Sequence, residues 1–113
     1  MNYQIITTDN FDKKVKVLAK KYRSLKKDLI AFEKELLANP TIGDDLGENT
    51  RKVRLAITSK NKGKSGGARV ITCTVLLNTI NMDIYLLTIY DKGEQENISK
   101  KEIEHLKIIN KLK

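Results

Sequence analysis

Apolar residues recur along the first third of the chain in alternating steps of four and three. The series is Phe11, Val15, Leu18, Tyr22, Leu25, Leu29, Phe32 and Leu36. Such spacing draws one stripe down a helix. Thr8, Asp9 and Asn10 offer capping oxygens ahead of it. Asn39-Pro40 closes it, because a residue before proline disfavours helical backbone. One uninterrupted helix would be long for so short a chain, and Ser24 offers a second cap. The pattern therefore predicts a helical hairpin that breaks near Arg23 and Ser24.

The pattern then changes period. Residues 3–7 are β-leaning and predict a first strand, while residues 41–49, with Gly43, Gly47, Asp44, Asp45 and Glu48, read as an acidic loop. Three β-branched runs follow at 52–58, 68–77 and 84–90, the last two joined by a turn at 78–83. In the first run Val53, Leu55 and Ile57 share one face, and Lys52, Arg54, Ala56 and Thr58 the other. Ser99 and Glu102 have capping-box spacing, and Ile103 and Leu106, then Ile109 or Asn110, carry a last helix. The predicted order is β-α-α-β-β-β-α. This is a single α+β domain over residues 1–113, with the helical hairpin packed on a mostly antiparallel sheet.

Composition narrows the function. With 22 Lys and Arg against 14 Asp and Glu, the net charge is +8. That excess points to a polyanionic partner. Apolar runs fall well short of the roughly 20 residues a membrane helix needs, so no membrane role is expected. The start Met1-Asn2-Tyr3-Gln4 lacks a signal pattern, so the expected location is the cytoplasm. Cys73 and His105 are each the sole residue of their type. Neither a disulfide nor a Cys or His metal site is expected, and no cofactor is predicted. Cys73 reads as core and His105 as an ordinary helix residue.

The positive charge concentrates in residues 51–69, which hold Arg51, Lys52, Arg54, Lys60, Lys62, Lys64 and Arg69 and no acid. Within it, Lys60-Asn61-Lys62-Gly63-Lys64-Ser65-Gly66-Gly67 predicts a glycine-rich loop between strands, where backbone and lysines approach phosphates. Strand-borne Arg54 and Arg69 offer fixed bidentate forks. The loop lacks the earlier glycine that precedes Gly63-Lys64-Ser65 in the motif of nucleotide-hydrolysing enzymes (Thr58 stands there), and it lacks their following helix. Cations on the helical hairpin (Lys13, Lys14, Lys16, Lys20, Lys21, Arg23, Lys26 and Lys27) read as a solvated face or a secondary docking surface. Acids cluster outside the basic stretch, and no Ser-His-Asp set is available. Chemistry by cations remains. A lysine among arginines is pushed toward general-base use, and arginines hold charge developing on phosphorus. RNA can be cut this way through its own 2′-hydroxyl, and DNA cannot.

Three runs carry a family resemblance. They are Lys52-Val53-Arg54-Leu55-Ala56-Ile57, Gly63-Lys64-Ser65-Gly66-Gly67-Ala68-Arg69-Val70-Ile71 and Ile89-Tyr90-Asp91-Lys92, followed by Glu96-Asn97-Ile98-Ser99 and a final helix. Together they resemble the RelE/HigB toxins of type II toxin–antitoxin systems, within the RelE/ParE superfamily. The resemblance implies an mRNA endonuclease working without metal at the ribosomal A site and silenced by a cognate antitoxin. By position it assigns catalysis to Lys52, Arg54, Arg69 and Lys92. It assigns mRNA or ribosome contact to Arg51, Lys60, Lys62, Lys64, Gly66, Gly67 and Tyr90. No tyrosine follows Tyr90, so the family's C-terminal tyrosine is absent; Lys52 is assigned as base, with Arg54 and Arg69 stabilising charge. Two other readings fit the chain: a ParE-like gyrase poison of the same fold, and a non-catalytic RNA-binding module.

Overall fold

A computed structural model describes residues 1–61 and 63–112. β1 (Asn2–Thr7) leads into a helical hairpin of α1 (Asp9–Lys21) and α2 (Leu25–Ala38). β2 (Asp44–Gly47), β3 (Thr50–Leu55), β4 (Ala68–Leu76) and β5 (Asn81–Asp91) follow, and α3 (Lys100–Ile109) ends the series. The five strands form one sheet in the order β1-β5-β4-β3-β2. β1 lies parallel to β5; all other pairs are antiparallel. The α+β class and the β-α-α-β-β-β-α order hold, with β2 added where a loop was expected. Among the described residues no helix is long and apolar enough to cross a membrane.

The hairpin breaks where the stripe alone would have continued. α1 starts because the Thr8 hydroxyl accepts the Phe11 N–H at 3.2 Å. It ends at Tyr22, whose extended backbone departs from the helix. Ser24 precedes α2 but makes no side-chain cap. Its hydroxyl instead donates to Asp28 at 2.7 Å and accepts the Ser59 N–H at 2.9 Å. Asp28 also takes the N–H and hydroxyl of Thr58, at 3.0 and 2.6 Å. These bonds explain why β3 stops at Leu55 rather than running to Thr58. The start of α2 captures the chain into a single 3₁₀ turn, Thr58–Lys60.

The sheet is buried on both faces. Phe11, Leu18, Leu25, Leu29, Phe32 and Leu36 pack on Val53, Leu55, Val70, Ile84, Leu86 and Ile89. On the opposite face Ile71, Cys73, Leu87 and Tyr90 meet Ile98, Ile103 and Leu106, so α3 closes that side. Period-two alternation alone would not place Ile84, Leu86 and Ile89 together. Pairing slips between Ile71–Thr88 and Thr72–Leu86, leaving Leu87 unpaired as a bulge. The extra residue restores Ile89 to the hairpin side.

β2 forms because Glu48 and Asn49 both take positive φ, 52° and 61°, and turn the chain back on β3. Two-residue turns of that hand match the twist of paired strands. The turn is held from α3, where buried Lys107 donates to the Thr50 hydroxyl at 3.2 Å and the Glu48 carbonyl at 3.3 Å.

Thr8 ties the first crossover to the sheet. Its buried hydroxyl lies 3.0 Å from the carbonyls of both Leu86 and Leu87, besides capping α1. Thr8→Ala is expected to cost about 1–2 kcal/mol, the loss of a cap together with a buried hydrogen bond. Thr8→Ser should retain most of it. Urea denaturation of the three proteins checks this: equal midpoints for Thr8→Ala and wild type would remove the anchoring role.

Candidate functional site

Cross-strand register decides which cations meet. Arg54 lies opposite Arg69, Lys52 opposite Ile71, and Arg69 opposite Tyr90. Paired residues on adjacent strands share a face. Arg54, Arg69 and Tyr90 therefore form one row across three strands, with Lys52 two residues away on the same face. This is the α3 side, to which Ile71 and Tyr90 belong. Arg51, one step along β3, points to the opposite face. There its guanidinium reaches Asp45 at 3.7 Å and the Gly43 carbonyl at 3.4 Å. The structure thus separates Arg51 from the cations it neighbours in sequence.

Arg54 is exposed, whereas Arg69 is only 7% exposed. Arg69 donates through Nη1 to the carbonyls of Lys64 and Ala68, and through Nη2 to that of Ser65, each at 3.1 Å. Like charges directly opposite repel. Three carbonyl dipoles around one guanidinium offset that repulsion and at the same time shape the basic loop. The Tyr90 ring lies in the α3-side core, and its buried hydroxyl has no hydrogen-bond partner. Burial raises its pKa, opposed by the nearby charge of Arg69.

The segment after β5 borders the row. Lys92 donates its backbone N–H to the Gly67 carbonyl at 3.0 Å and its ammonium to the Glu96 carbonyl at 2.7 Å. Half-buried Lys52 reaches Asn97 Oδ1 at 3.4 Å, the same oxygen that accepts the Ile98 N–H. Asn97 is a neighbour of the site that sequence reasoning did not single out. Asp44 is another: β2 sets it opposite Lys52, and Asp45 opposite Arg51. The acids that seemed segregated along the chain come beside the basic strand once β2 folds back.

The loop cations divide. Lys64 is exposed and pairs with exposed Glu35 at 3.1 Å, a contact of the kind worth under about 1 kcal/mol and open to exchange. Lys60 is committed elsewhere. Its side chain is 9% exposed, and its ammonium lies 2.7 Å from Asp91, whose side chain is 1% exposed. Tyr22 donates its hydroxyl to the same carboxylate, Lys21 stands 3.7 Å from it, and Gly93 N–H donates at 2.9 Å. Both ammonium groups also lie 5.3 Å from the centre of the Tyr22 ring. Lys60, expected as a phosphate contact, is instead a buried brace between the 3₁₀ turn, α1 and β5. Lys62 lies outside the described residues.

The glycines divide as well. A Cβ on Gly67 would sit 2.1 Å from the Leu55 carbonyl, so the strands close up only on glycine there. That need comes from packing, where phosphate approach was expected. Gly66 lies in the turn just before it, half-buried.

The result is a small basic α+β domain: a five-stranded sheet with a helical hairpin on one face and, on the other, a cation row beside a covering C-terminal helix. The family model of the RelE toxin of the RelE/RelB toxin–antitoxin system matches residues 4–113. The chain belongs to that family. It is a toxin of a toxin–antitoxin system, and membership brings with it a cognate antitoxin.

The Asp91 brace makes a pH-dependent prediction. Burial raises the carboxyl pKa, but the hydrogen bonds from Lys60 and Tyr22, then Gly93 N–H and the Lys60 charge, outweigh it and hold it at about 2. A depressed folded-state value stabilises above the unfolded pKa, near 3.9, and that contribution is lost as pH falls toward about 2. The shift corresponds to about 2 kcal/mol. Asp91→Asn should lose about that much at pH 7 and flatten the stability profile between pH 4 and 2 on the order of that value. Denaturant titrations across that range measure it; an unchanged acid limb in the variant would show that Asp91 does not create it.

Proposed function

We propose that this toxin is a ribosome-dependent mRNA endonuclease that cleaves by attack of the substrate's own 2′-hydroxyl and so stops translation. The observation that carries the reading is the register pairing Arg54 with Arg69, with Lys52 on the same face. An RNA phosphate laid on this face meets an exposed guanidinium, an ammonium and the remaining N–H groups of an arginine already held in place. Family membership supports the toxic role and the antitoxin.

In the proposed reaction, Lys52 acts as general base toward the 2′-hydroxyl proton and the oxygen attacks the adjacent phosphorus. The P–O5′ bond breaks, leaving a cyclic phosphate on one fragment. The departing 5′-oxygen takes a proton from solvent. Arg54 and Arg69 stabilise the charge gathered on the non-bridging oxygens, more strongly in the transition state than in the ground state. Lys92 and Lys64, with Gly66 and Gly67 shaping the loop, bear on mRNA or ribosomal phosphates. Asn97 positions Lys52 by accepting from its ammonium.

Arg54→Ala is expected to lower the cleavage rate by about 10²–10³-fold with little change in stability, because Arg54 is exposed. Arg69→Ala should lose activity and stability together, since its fork also holds three backbone carbonyls. Mapping of mRNA ends after brief induction in a translating extract provides the readout. Cuts within codons that require translation support the proposal. Intact mRNA together with lost DNA supercoiling would instead establish gyrase poisoning, and binding without any cleavage an RNA-binding module.

A further inference from the structure

We propose that two copies of this chain join through β1, pairing antiparallel across a two-fold axis so that the sheet continues from one protomer into the other. β1 is an outer strand of the sheet, with β5 beside it and, among the described residues, no strand on its other side. Asn2 and Thr8 give their N–H groups to the Ile80 and Leu86 carbonyls, at 2.6 and 3.3 Å. Alternation turns Gln4 and Ile6 the same way, and turns the N–H and C=O of Tyr3, Ile5 and Thr7 away from β5. The edge is open: Asn2, Tyr3, Gln4 and Thr7 are exposed.

Sheet edges are ordinarily guarded by a charge, a proline or a bulge. β2, at the opposite edge, carries Asp44 and Asp45. β1 reads Asn-Tyr-Gln-Ile-Ile-Thr, pairs with β5 without a break in register, and has no such guard. The neutrality extends beyond the strand. Residues 1–8 hold no charged side chain, and neither do residues 70–82. Register brings these stretches together, with Tyr3 beside Met82 and Met82 beside Leu76. Leu76, Leu77 and Ile80 at this end of the sheet are exposed. A chain of charge +8 thus keeps one sheet edge and the adjoining turn free of charge.

Charge and register select a second copy as the occupant. Two bodies of like charge repel, so contact between them needs a surface without cations. β1 supplies one, and for the same reason it offers an acidic peptide nothing to pair with. Its hydrogen-bonding groups complement themselves. Setting Ile5 opposite the same residue of the second copy sets Tyr3 opposite Thr7 at both ends. All three outward residues then fall in pairs that exchange N–H and C=O. The faces agree as well: Ile5 packs on the hairpin side, and Tyr3 and Thr7 share its parity. A slip of one residue would oppose hairpin-side and α3-side residues. The contact is isologous and closes at two copies. β5 and β4 separate β1 from β3, so both Arg54–Arg69 rows stay uncovered, on one side of the continued sheet.

Sedimentation of the full-length toxin alone tests the contact, independently of any reaction at the arginine rows. Wild type should move from the 12.9 kDa chain toward twice that mass between about 1 and 100 μM. The Ile5 amide should exchange at least about tenfold more slowly in the dimer than in dilute monomer. Gln4→Lys sets a lysine of each copy diagonally across the axis and should raise the dimer Kd at least about tenfold, more at low salt than at high. Tyr3→Pro removes an outward N–H without touching the bonds to β5, and should weaken the dimer as much. Tyr3→Phe should dimerise as wild type, and so should Val17→Asp on α1, beside residues 88–91 at the far end of β5. If circular dichroism shows Tyr3→Pro unfolded, Gln4→Lys decides. A wild type that stays monomeric to about 100 μM overturns the proposal, as does a dimer that Gln4→Lys leaves intact. Ile5 protection that arises only with the antitoxin or ribosomes added, the toxin alone being monomeric, gives the edge to another partner and equally overturns it.

Discussion

Everything distinctive about this toxin depends on the register between β3 and β4. Setting Arg54 opposite Arg69 places two guanidinium groups where a stable sheet would put an apolar or oppositely charged pair. A shift of one residue would send every side chain of β3 to the other face, exposing Val53 and Leu55. The hydrophobic core on the hairpin side therefore enforces the arginine pair. Arg69 survives near-complete burial because it donates to three backbone carbonyls, and those bonds fold the loop that follows the 3₁₀ turn. One arginine thus links core packing, loop shape and the cationic surface.

A fold that concentrates positive charge must place its counter-charges with care. Asp91 is buried under Lys60, Lys21 and Tyr22, where it fastens α1 and the 3₁₀ turn to the end of β5 without facing the Arg54 surface. Asp44 and Asp45 enter through β2, the sheet edge, and lie beside Lys52 and Arg51. Two acids on a short, fully exposed edge strand also discourage edge-to-edge pairing with another chain. Glu35 holds Lys64 only through an exposed contact. The division is physical: buried pairs hold the fold, and solvent-exposed pairs leave their cations exchangeable.

The elements whose signals are local were legible in the sequence. Stripe spacing, the Thr8 and Ser99 caps and Asn39-Pro40 located all three helices, and alternation in 53–57 assigned the correct face to Val53, Leu55 and Ile57. Signals that require a partner distant in sequence were not legible. β2 depends on two residues at positive φ and on Lys107 reaching back from α3. The bulge at Leu87 emerges only when β5 is laid against β4. Lys60 looked like its neighbours in the basic run, and only the arrival of Asp91 distinguishes it. Arg51 was expected on the same basic surface as Lys52, and strand parity puts the two on opposite faces. Charge density marked the right segment, but burial and parity decide which of its cations remain on the α3-side surface.

The short length of β1 has the same origin as the start of the first helix. Thr8 spends its hydroxyl on the Leu86 and Leu87 carbonyls and on the first turn of α1, so the chain leaves the sheet at that point. The end of β5 keeps β4 as its paired strand, and the helices packed on its two faces leave residues 87–91 buried. Tyr90 sits at the junction: its row-mate is Arg69, and it lines the cleft between α1 and α3. The cleft and the arginine row thus border the same buried end of β5.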